Sequence, residues 1–180
     1  MAILKVARMG HPVLRQRARQ LQPSEIRSPE IQQLIEDMLE TMAEYQGIGL
    51  AAPQVHEGVR LFVAGYDGVE DEPQNFPRIV LINPEIAITE SETIEDWEGC
   101  LSIPDIRGRV PRAKGITVRA YDRRGKKIEL DARNYIARVI QHETDHLDGI
   151  LFIDRMTSLE SITFLEEFER YWSREVVTPE

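Results

Sequence analysis

The 180-residue sequence predicts an α+β fold in one domain that spans residues 1–180. A chain of this length can bury a sizeable hydrophobic core, and its sequence contains neither an internal repeat nor an interdomain linker. Several β-branched or apolar runs bounded by turn residues occupy the middle of the chain, which predicts strands. Two segments with apolar residues at helical spacing follow them, and strands followed by helices are typical of α+β folds.

The first helix is predicted to begin after Ser28. Serine is a good N-cap residue, and Pro29 suits the first helical position. Gly47 can end this helix or its exit turn. Between them, apolar residues recur at helical spacing and form one stripe that we expect to be core: Ile31, Leu34, Ile35, Met38, Leu39 and Met42.

The strands predicted in the middle of the chain are rich in β-branched and apolar residues. Asp122–Gly125 is typical of a hairpin turn and joins the last two of them. Asp67–Pro77 lies between the first two and is rich in acids, glycine and proline, which predicts an exposed loop. The predicted strands are Val59–Tyr66, Ile79–Ile82, Gly115–Tyr121 and Lys127–Leu130.

Two further helices are predicted in the last third of the sequence. The second helix covers roughly Arg133 to Leu147, and Gly149 is placed to stop it. The third helix is predicted to begin near Thr157 or Ser158. Its buried side is expected to consist of Ile162, Leu165, Phe168 and Trp172.

The composition limits the binding partners of this protein and the cellular compartment in which we expect it. The net charge is -9, so the chain has no general attraction for DNA, RNA or anionic membranes. No apolar run approaches the ~18 residues that a membrane span requires. Cys100 is the only cysteine, which rules out an intrachain disulfide. A lone thiol without a secretory signal indicates a reducing, cytoplasmic location.

The first 24 residues are rich in arginine and contain no acid, a pattern that also occurs in organelle transit peptides. We favour a structured N-terminal segment instead. The reason is that Gly10, His11 and Pro12 break any long amphipathic helix in this region.

The sequence His142-Glu143-Thr144-Asp145-His146 is an H-E-x-x-H motif. Residues four apart on a helix lie on one face, so both imidazoles can bind one metal ion. Glu143 follows directly and can reach a water on that ion as a general base. The alternative is two surface histidines, but the preceding turn is mostly apolar and does not resemble a solvated helix. The motif therefore predicts a metallohydrolase.

A catalytic metal site needs a third protein ligand, and several candidates exist. Metzincins continue with a third histidine, and this chain has Phe152 at that position. Thermolysin-like enzymes use a downstream glutamate, for which Glu166 or Glu167 could serve, although both lie in a charged segment typical of a surface. The remaining candidates are His11, His56 and Cys100.

Cys100 lies in the sequence Glu98-Gly99-Cys100-Leu101-Ser102. As a ligand, the sulfur would bind as thiolate at ~2.3 Å. The adjacent glycine indicates a backbone that passes close to another group. The alternative is a buried structural thiol, which is common for cysteine.

Three separated motifs resemble those of the peptide deformylase family, in the same order and with matching spacing. They are Gly47–Gln54 (GIGLAAPQ), Glu98–Ser102 (EGCLS) and Gln141–Leu147 (QHETDHL), and His11–Arg15 resembles the segment before the first helix of these enzymes. The resemblance covers the chain up to about Met156. It implies an α+β fold of small antiparallel β-sheets packed around a central H-E-x-x-H helix, with an N-terminal and a C-terminal helix.

The resemblance also implies an activity and a cofactor. The activity is removal of the N-terminal formyl group from formyl-methionine of newly synthesised polypeptides, with release of formate. The implied metal ligands are Cys100, His142 and His146, with Fe²⁺ as the metal and Zn²⁺, Ni²⁺ or Co²⁺ as substitutes. A Cys-His-His set by itself also suits zinc.

Catalytic roles follow from the same resemblance. Glu143 is expected to take a proton from water and to deliver it to the leaving amine. The Gln54 side-chain amide and the Leu101 backbone N–H are expected to hold the developing oxyanion.

The remaining expectations concern substrate binding. Gly47 and Gly49 allow backbone to approach the peptide closely, and the resemblance implies that the peptide pairs with Ile48–Gly49 and Gly99 as an added strand. Arg138 lies one turn before the metal motif, and we expect its aliphatic stem to line the methionine pocket while its charge stays near solvent.

Glu98 and Arg112 are expected to form an ion pair. This pair lies either behind the Cys100 loop, where it would position the loop, or on the surface.

Two other functions are compatible with a metal site on this helix. A zincin-type metallopeptidase with a different third ligand would cleave internal peptide bonds and would not need Cys100. A structural-metal module needs a closed fourth position, and no further Cys or His motif is available to close it.

The expected partners are N-formyl-methionyl nascent peptides. The resemblance also implies a transient ribosome contact through a basic C-terminal extension. The charged residues of 158–180 are mainly acidic, which weakens that expectation: they are Glu160, Glu166, Glu167, Glu169, Glu175 and Glu180 against Arg170 and Arg174.

Overall fold

The computed structural model describes residues 2–65 and 76–173. The predicted loop Asp67–Pro77 lies mostly outside these residues. The helices are α1 (Pro29–Glu44), α2 (Asn134–Leu147), α3 (Phe152–Arg155) and α4 (Leu165–Tyr171), with short 3-10 helices at Pro12–Arg15, Ala52–Val55 and Leu159–Ser161. The strands are β1 (Gly49–Ala51), β2 (Leu61–Ala64), β3 (Ile79–Cys100), β4 (Ile103–Tyr121), β5 (Lys127–Arg133) and β6 (Thr163–Phe164).

The strands form an antiparallel sheet, and the α+β prediction is confirmed. In the described part of the chain, the order is β1-β2-β3-β4-β5, with β6 paired to β4. The strands therefore make one connected network instead of several small sheets. Its long β3–β4 ladder contains register shifts between Ile82 and Glu85 and between Gly99 and Cys100. Such irregularities bend and twist a strand pair, so one sheet can surround a helix on several sides.

The lengths of β3 and β4 differ from the predictions. Ile79–Ile82 and Gly115–Tyr121 are strands as predicted, but each is one end of a much longer strand. The β3 extension is rich in polar and exposed residues, and the β4 extension is rich in charged ones. Both extensions are strands because each supplies the backbone partners of the other. Hydrophobic patterning does not reveal pairing of this kind. The β4–β5 hairpin at Asp122–Gly125 is confirmed.

Helix α1 forms as predicted. The Ser28 hydroxyl accepts a hydrogen bond from the Ile31 N–H at 3.3 Å, which caps the helix. Ile35, Met38 and Met42 are fully or almost fully buried. They pack against the face of β2 that carries Leu61 and Val63.

Helix α2 occupies the opposite side of the sheet. Side chains alternate along a strand, so Phe62 and Ala64 of β2 pack with Ala137 and Ile140 of α2. The helix ends at Leu147, two residues before Gly149, which has φ +74°. A Cβ at Gly149 would lie 2.8 Å from the Arg15 backbone, so both its conformation and its surroundings favour glycine.

The N-terminal segment is packed, in agreement with the structured alternative. Val6, Leu14 and Leu21 are buried. The Ala7 N–H donates to the Gln54 carbonyl at 2.7 Å, and the Met9 N–H donates to the Ser102 carbonyl at 2.7 Å.

The C-terminal region differs from the predicted third helix. A 3-10 turn and β6 precede α4, so the helix starts at Leu165 and not near Thr157. Ile162 and Trp172 are 43% and 41% exposed, so they do not form a buried side, whereas Leu165 and Phe168 are half-buried. β6 pairs with Ile106 and Arg107 of β4, and this long-range pairing replaces the first predicted helical turn.

No helix in the described ranges combines the length and apolar character needed to cross a membrane.

Candidate active site

The structure brings three predicted metal ligands together. α2 presents His142 and His146 one turn apart, and the end of β3 places Cys100 beside them. Ligand atoms of all three residues lie within 4.8 Å of one another, and all three side chains are buried. The Cys100 sulfur is 3.2 Å from His146 Nε2. The other candidates for a third ligand are absent from this cluster among the described residues.

Glu98 orients one of these ligands. Its Oε2 lies 2.9 Å from His142 Nδ1. This contact leaves His142 Nε2 as the ring nitrogen available to bind a metal. A buried carboxylate behind a histidine fixes the ring and its tautomer, which is a common arrangement at metal sites.

The Glu98–Arg112 pair is buried and not on the surface. Arg112 donates to both Glu98 oxygens, at 2.9 and 3.0 Å. Arg112 also pairs with Asp145, which in turn accepts from Arg155 at 2.7 Å. Asp145 was not identified from the sequence as part of this network. Its position inside the H-E-x-x-H motif, on a helix expected to be packed, is the sequence signal that could have identified it.

The expectation that Arg138 keeps its charge near solvent is wrong. Arg138 is only 5% exposed, and its guanidinium donates to Glu98 Oε1 at 2.8 Å. It also donates to the carbonyls of Val110 at 2.8 Å and Ile94 at 2.6 Å. The anionic Glu98 and the inward carbonyls of β3 and β4 replace water as partners of the charge. Arg138 therefore joins α2 to the β3–β4 ladder.

Glu143 lies beside the ligand cluster and is 4% exposed. Its Oε2 has no hydrogen-bond partner among the described residues. Burial raises the pKa of its carboxyl to about 7, although the neighbouring histidines oppose this shift. Gly49 makes room for the side chain, because a Cβ at Gly49 would lie 2.2 Å from Glu143 Oε1. A carboxyl group with this pKa can both accept and release a proton near neutral pH.

The charges of the cluster suit a metal cation. Burial alone raises the pKa of the Cys100 thiol, but His146 and His142 outweigh it and hold that pKa well below its usual range. Burial alone lowers the pKa of His142, but Cys100 and Glu98 outweigh it and hold that pKa well above its usual range. The cluster thus stabilises a thiolate beside positive charge, and a bound metal cation would supply that positive charge in place of the imidazole proton. A thiolate and two imidazoles are suitable ligands for a divalent transition metal.

Gln54 is held with its amide N–H₂ toward the cluster. Its Oε1 accepts from the Ala51 N–H at 2.8 Å, which fixes the orientation of the amide. Its Nε2 then lies 3.5 Å from the Cys100 sulfur and 3.2 Å from Ser102 Oγ. Leu101 lies in the turn between β3 and β4, next to Cys100.

A cleft of about 930 Å³ opens onto these groups. Every residue expected to bind substrate contributes to its lining: Gly47, Ile48, Gly49, Gly99 and Arg138. The sequence did not indicate that Lys5 and Arg8 of the N-terminal segment, or Trp97, Leu165 and Phe168, also line it. These residues come from distant parts of the chain.

Comparisons with known proteins agree with this geometry. Residues 3–161 match the family model for polypeptide deformylase. A peptide deformylase of Thermodesulfovibrio yellowstonii is 44% identical over 169 residues, which covers 94% of this chain and 98% of that protein. Peptide deformylase 2 of a Nostoc species is 40% identical over 169 residues, which covers 93% of each chain.

Solved structures show the same fold. The peptide deformylase from Thermotoga maritima has a TM-score of 0.79 and 39% identity, with 88% of this chain and 100% of that chain covered. The Met-Ala-Ser-bound class I type b peptide deformylase from Acinetobacter baumannii has a TM-score of 0.81 and 37% identity, with 86% and 99% covered. The chain therefore belongs to the peptide deformylase family.

Proposed function

We propose that this protein is a metal-dependent hydrolase that removes the formyl group from N-formyl-methionyl nascent peptides in the cytoplasm and releases formate. The observation that carries the proposal is the buried cluster of Cys100, His142 and His146 beside Glu143, in a chain of this family. The zincin-type alternative is disfavoured because it gives no role to Cys100.

We propose that Cys100, His142 and His146 hold one Fe²⁺ ion, which Zn²⁺, Ni²⁺ or Co²⁺ can replace. A divalent metal in this position supplies Lewis acidity, which lowers the pKa of a water and polarises a carbonyl oxygen. The choice of iron rests on the family resemblance.

Glu143 is the proposed general base and acid. Its carboxylate accepts a proton from the attacking water and later delivers that proton to the amine that leaves the formyl carbon. The absence of a competing partner on Oε2 among the described residues leaves this oxygen available for the transfer. The Gln54 amide and the Leu101 N–H are the proposed donors to the oxyanion, since both lie next to Cys100.

The peptide is proposed to bind between the glycine-containing ends of β1 and β3. β1 forms one end of the described strand order, so its outer edge is available to an added strand. Ile48–Gly49 and Gly99 would pair with the peptide backbone from the two sides of the cleft. The methionine side chain would enter the part of the cleft lined by Ile48, Val139 and the stem of Arg138.

Contact between the enzyme and the ribosome is proposed to be transient. Acidic residues occur throughout the described C-terminal segment, and they disfavour an approach of this segment to ribosomal RNA. They are Glu160, Glu166, Glu167 and Glu169.

Anaerobic purification followed by metal analysis and a formate-release assay tests the activity. We expect stoichiometric metal and hydrolysis of formyl-Met-Ala-Ser, without cleavage between its residues. Cleavage of internal peptide bonds and no formate would support the zincin alternative instead.

The choice of metal has a separate test. We expect air or peroxide to inactivate the iron form faster than the nickel or zinc form, because Fe²⁺ is oxidisable and a thiolate lies at the same open site. Equal lifetimes of the iron and nickel forms in air would contradict iron–thiolate ligation.

The ligand assignment is tested by Cys100→Ala. We expect this variant to lose metal and activity together, because two imidazoles alone hold an ion poorly. Metal analysis and the formate assay should be run on the same sample. Full activity with stoichiometric metal would show that Cys100 is not a metal ligand.

A further inference from the structure

The short helix α3 follows the metal motif and packs behind it. Its first residue, Phe152, is almost fully buried and packs in the same apolar cluster as Cys100. The rings of Phe152 and His142 lie nearly parallel, with an interplanar angle of 21° and centroids 6.3 Å apart. Offset aromatic rings attract each other at this separation. Phe152 therefore covers one face of a proposed metal ligand.

The other contacts of the His142 ring act at its edge. Glu98 Oε2 lies 2.9 Å from Nδ1, and the His146 ring meets the His142 ring edge to face, with centroids 5.0 Å apart. The last torsion of a histidine side chain has a broad energy minimum, so it does not by itself fix the plane of the ring. A contact at one ring atom fixes that atom but leaves the ring able to tilt. A flat apolar surface against the ring face opposes this tilt.

Phe152 has little room to move away from His142, because β4 passes directly behind it. A Cβ at Gly108 of β4 would lie 3.3 Å from Phe152 Cε2, and 2.7 Å from the end of the Met156 side chain. Val110 of β4 is fully buried in the same apolar cluster. Close packing of this kind transmits the position of one side chain to the next.

The position of α3 is fixed by side chains at its C-terminal end. Asp154 accepts a hydrogen bond from the Leu151 N–H at 2.7 Å and pairs with Arg15 of the N-terminal segment. Arg155 donates to both oxygens of Asp145 on α2, at 2.7 and 3.1 Å. A helix of only four residues has little stability of its own, so these contacts determine where it lies.

We propose that Phe152 is a positioning residue for the metal site: its ring, fixed by α3 and β4, holds the His142 imidazole in the plane in which Nε2 binds the metal. This inference rests on the proposed function, because that function makes His142 a metal ligand. Phe152 occupies the sequence position of the third histidine of metzincins. It has no ligand atom, so it acts on the metal only through His142.

Phe152→Leu and Phe152→Tyr test the role of the flat ring. Leucine removes the ring, whereas tyrosine keeps it and adds a buried hydroxyl, so both variants should lower the melting temperature. Phe152→Leu alone should weaken Zn²⁺ binding by about tenfold, measured by competition with a chelator. In the Ni²⁺-loaded protein, it should lower kcat on formyl-Met-Ala-Ser by about tenfold and change KM by less than about twofold.

Bound Co²⁺ gives a readout that loss of stability does not move. The visible absorption bands of Co²⁺ depend on the geometry of its ligands, so they should shift in Phe152→Leu and stay unchanged in Phe152→Tyr. Phe62→Leu is the matched control, since Phe62 is fully buried in a different apolar cluster that contains none of the proposed ligands. It should lower the melting temperature but leave the Co²⁺ bands and Zn²⁺ affinity unchanged.

Asp154→Ala tests the same idea without a change in the core. The Asp154 side chain is 38% exposed, so the variant should fold, but it frees α3 from Arg15 and from the Leu151 N–H. We expect it to weaken Zn²⁺ binding in the same direction as Phe152→Leu and to a smaller extent.

The outcomes separate this inference from the proposed function. Unchanged Zn²⁺ affinity and Co²⁺ bands in folded Phe152→Leu would overturn the positioning role, and if this variant does not fold, the same result in Asp154→Ala would do so. Equal effects of Phe152→Leu and Phe62→Leu on metal binding would also overturn it. In each case, formate release by the metal-loaded unmodified protein would still uphold the function. An unmodified protein that binds no divalent metal would overturn both.

Discussion

At the residue scale, Glu143 occupies a position where small changes have large expected effects. It is buried beside the metal cluster, and one of its oxygens lacks a partner among the described residues. The proposed ligands are Cys100, His142 and His146, so the Glu143 side chain itself is not needed to build the metal site.

Glu143→Gln should therefore retain metal while turnover falls by about 10³-fold or more, because glutamine keeps the shape but cannot accept a proton at neutral pH. Metal content and kcat on a formyl-Met peptide should be measured together. If Glu143 only orients a ligand, the variant would instead lose metal or slow by less than about tenfold. A fully loaded variant with near-normal kcat would exclude Glu143 as the base.

Gly49 offers a second residue-scale prediction. An added Cβ would lie 2.2 Å from Glu143 Oε1, so Gly49→Ala must displace the carboxyl group. We expect kcat/KM to fall by about 10²-fold, because a misplacement of about 1 Å can cost that much, while metal content stays normal. Gly58→Ala is the matched control, since a Cβ there meets no atom of the described residues within 4 Å. Similar losses in both variants would indicate a general effect on stability.

At the scale of elements, buried charges join α2 to the β3–β4 ladder. Arg112 bridges Glu98 on β3 and Asp145 on α2, and Arg138 reaches back from α2 to Glu98. Removing one member leaves the remaining buried charges with fewer partners, which is costly. The same contacts hold Glu98 against His142, so stability and ligand orientation depend on one network.

Arg112→Met should lower the free energy of unfolding by about 3 kcal/mol. The change removes the guanidinium that pairs with both Glu98 and Asp145, and both carboxylates stay buried with fewer partners. Urea denaturation of the metal-free protein measures this change. Arg119→Met serves as control, since the Arg119–Glu129 pair is exposed and should contribute little. Equal stability of the Arg112 and Arg119 variants would show that the buried network does not hold the two elements together.

At the scale of the whole molecule, the cleft is assembled from distant segments. The N-terminal segment, the glycine-rich β1 region, the end of β3, α2 and α4 all contribute to its lining. The N-terminal segment is held there by backbone hydrogen bonds to Gln54 and Ser102. Changes at either end of the described chain can therefore reach the site.

The end of the chain gives a contrasting prediction. Deleting residues 174–180 should change kcat/KM on formyl-Met-Ala-Ser by less than about twofold, because α4 ends at Tyr171 and termini often tolerate truncation. A large loss of activity in this deletion variant, with an unchanged melting temperature, would show that these last residues help to form the site.

Local patterns predicted part of this organisation. Ser28 and Pro29 place the start of α1, and the spacing of His142 and His146 places two imidazoles on one helical face; both depend on residues within a few positions of each other. The resemblance to deformylases implied Cys100 as the third ligand. In the structure, Cys100 lies beside His142 and His146.

By itself, the sequence determined the α+β class, the motif helix and the placement of His142 and His146 on one helical face, since short-range spacing and hydrophobic period suffice for these. The tertiary structure alone decided the extent of β3 and β4, the burial of the Arg138 charge and the position of α4 in the cleft wall. Each of these depends on partners far away in the chain, such as Glu98, which lies 40 positions before Arg138. A charged or apolar side chain does not reveal in sequence which distant carboxylate, carbonyl or ring will replace water around it.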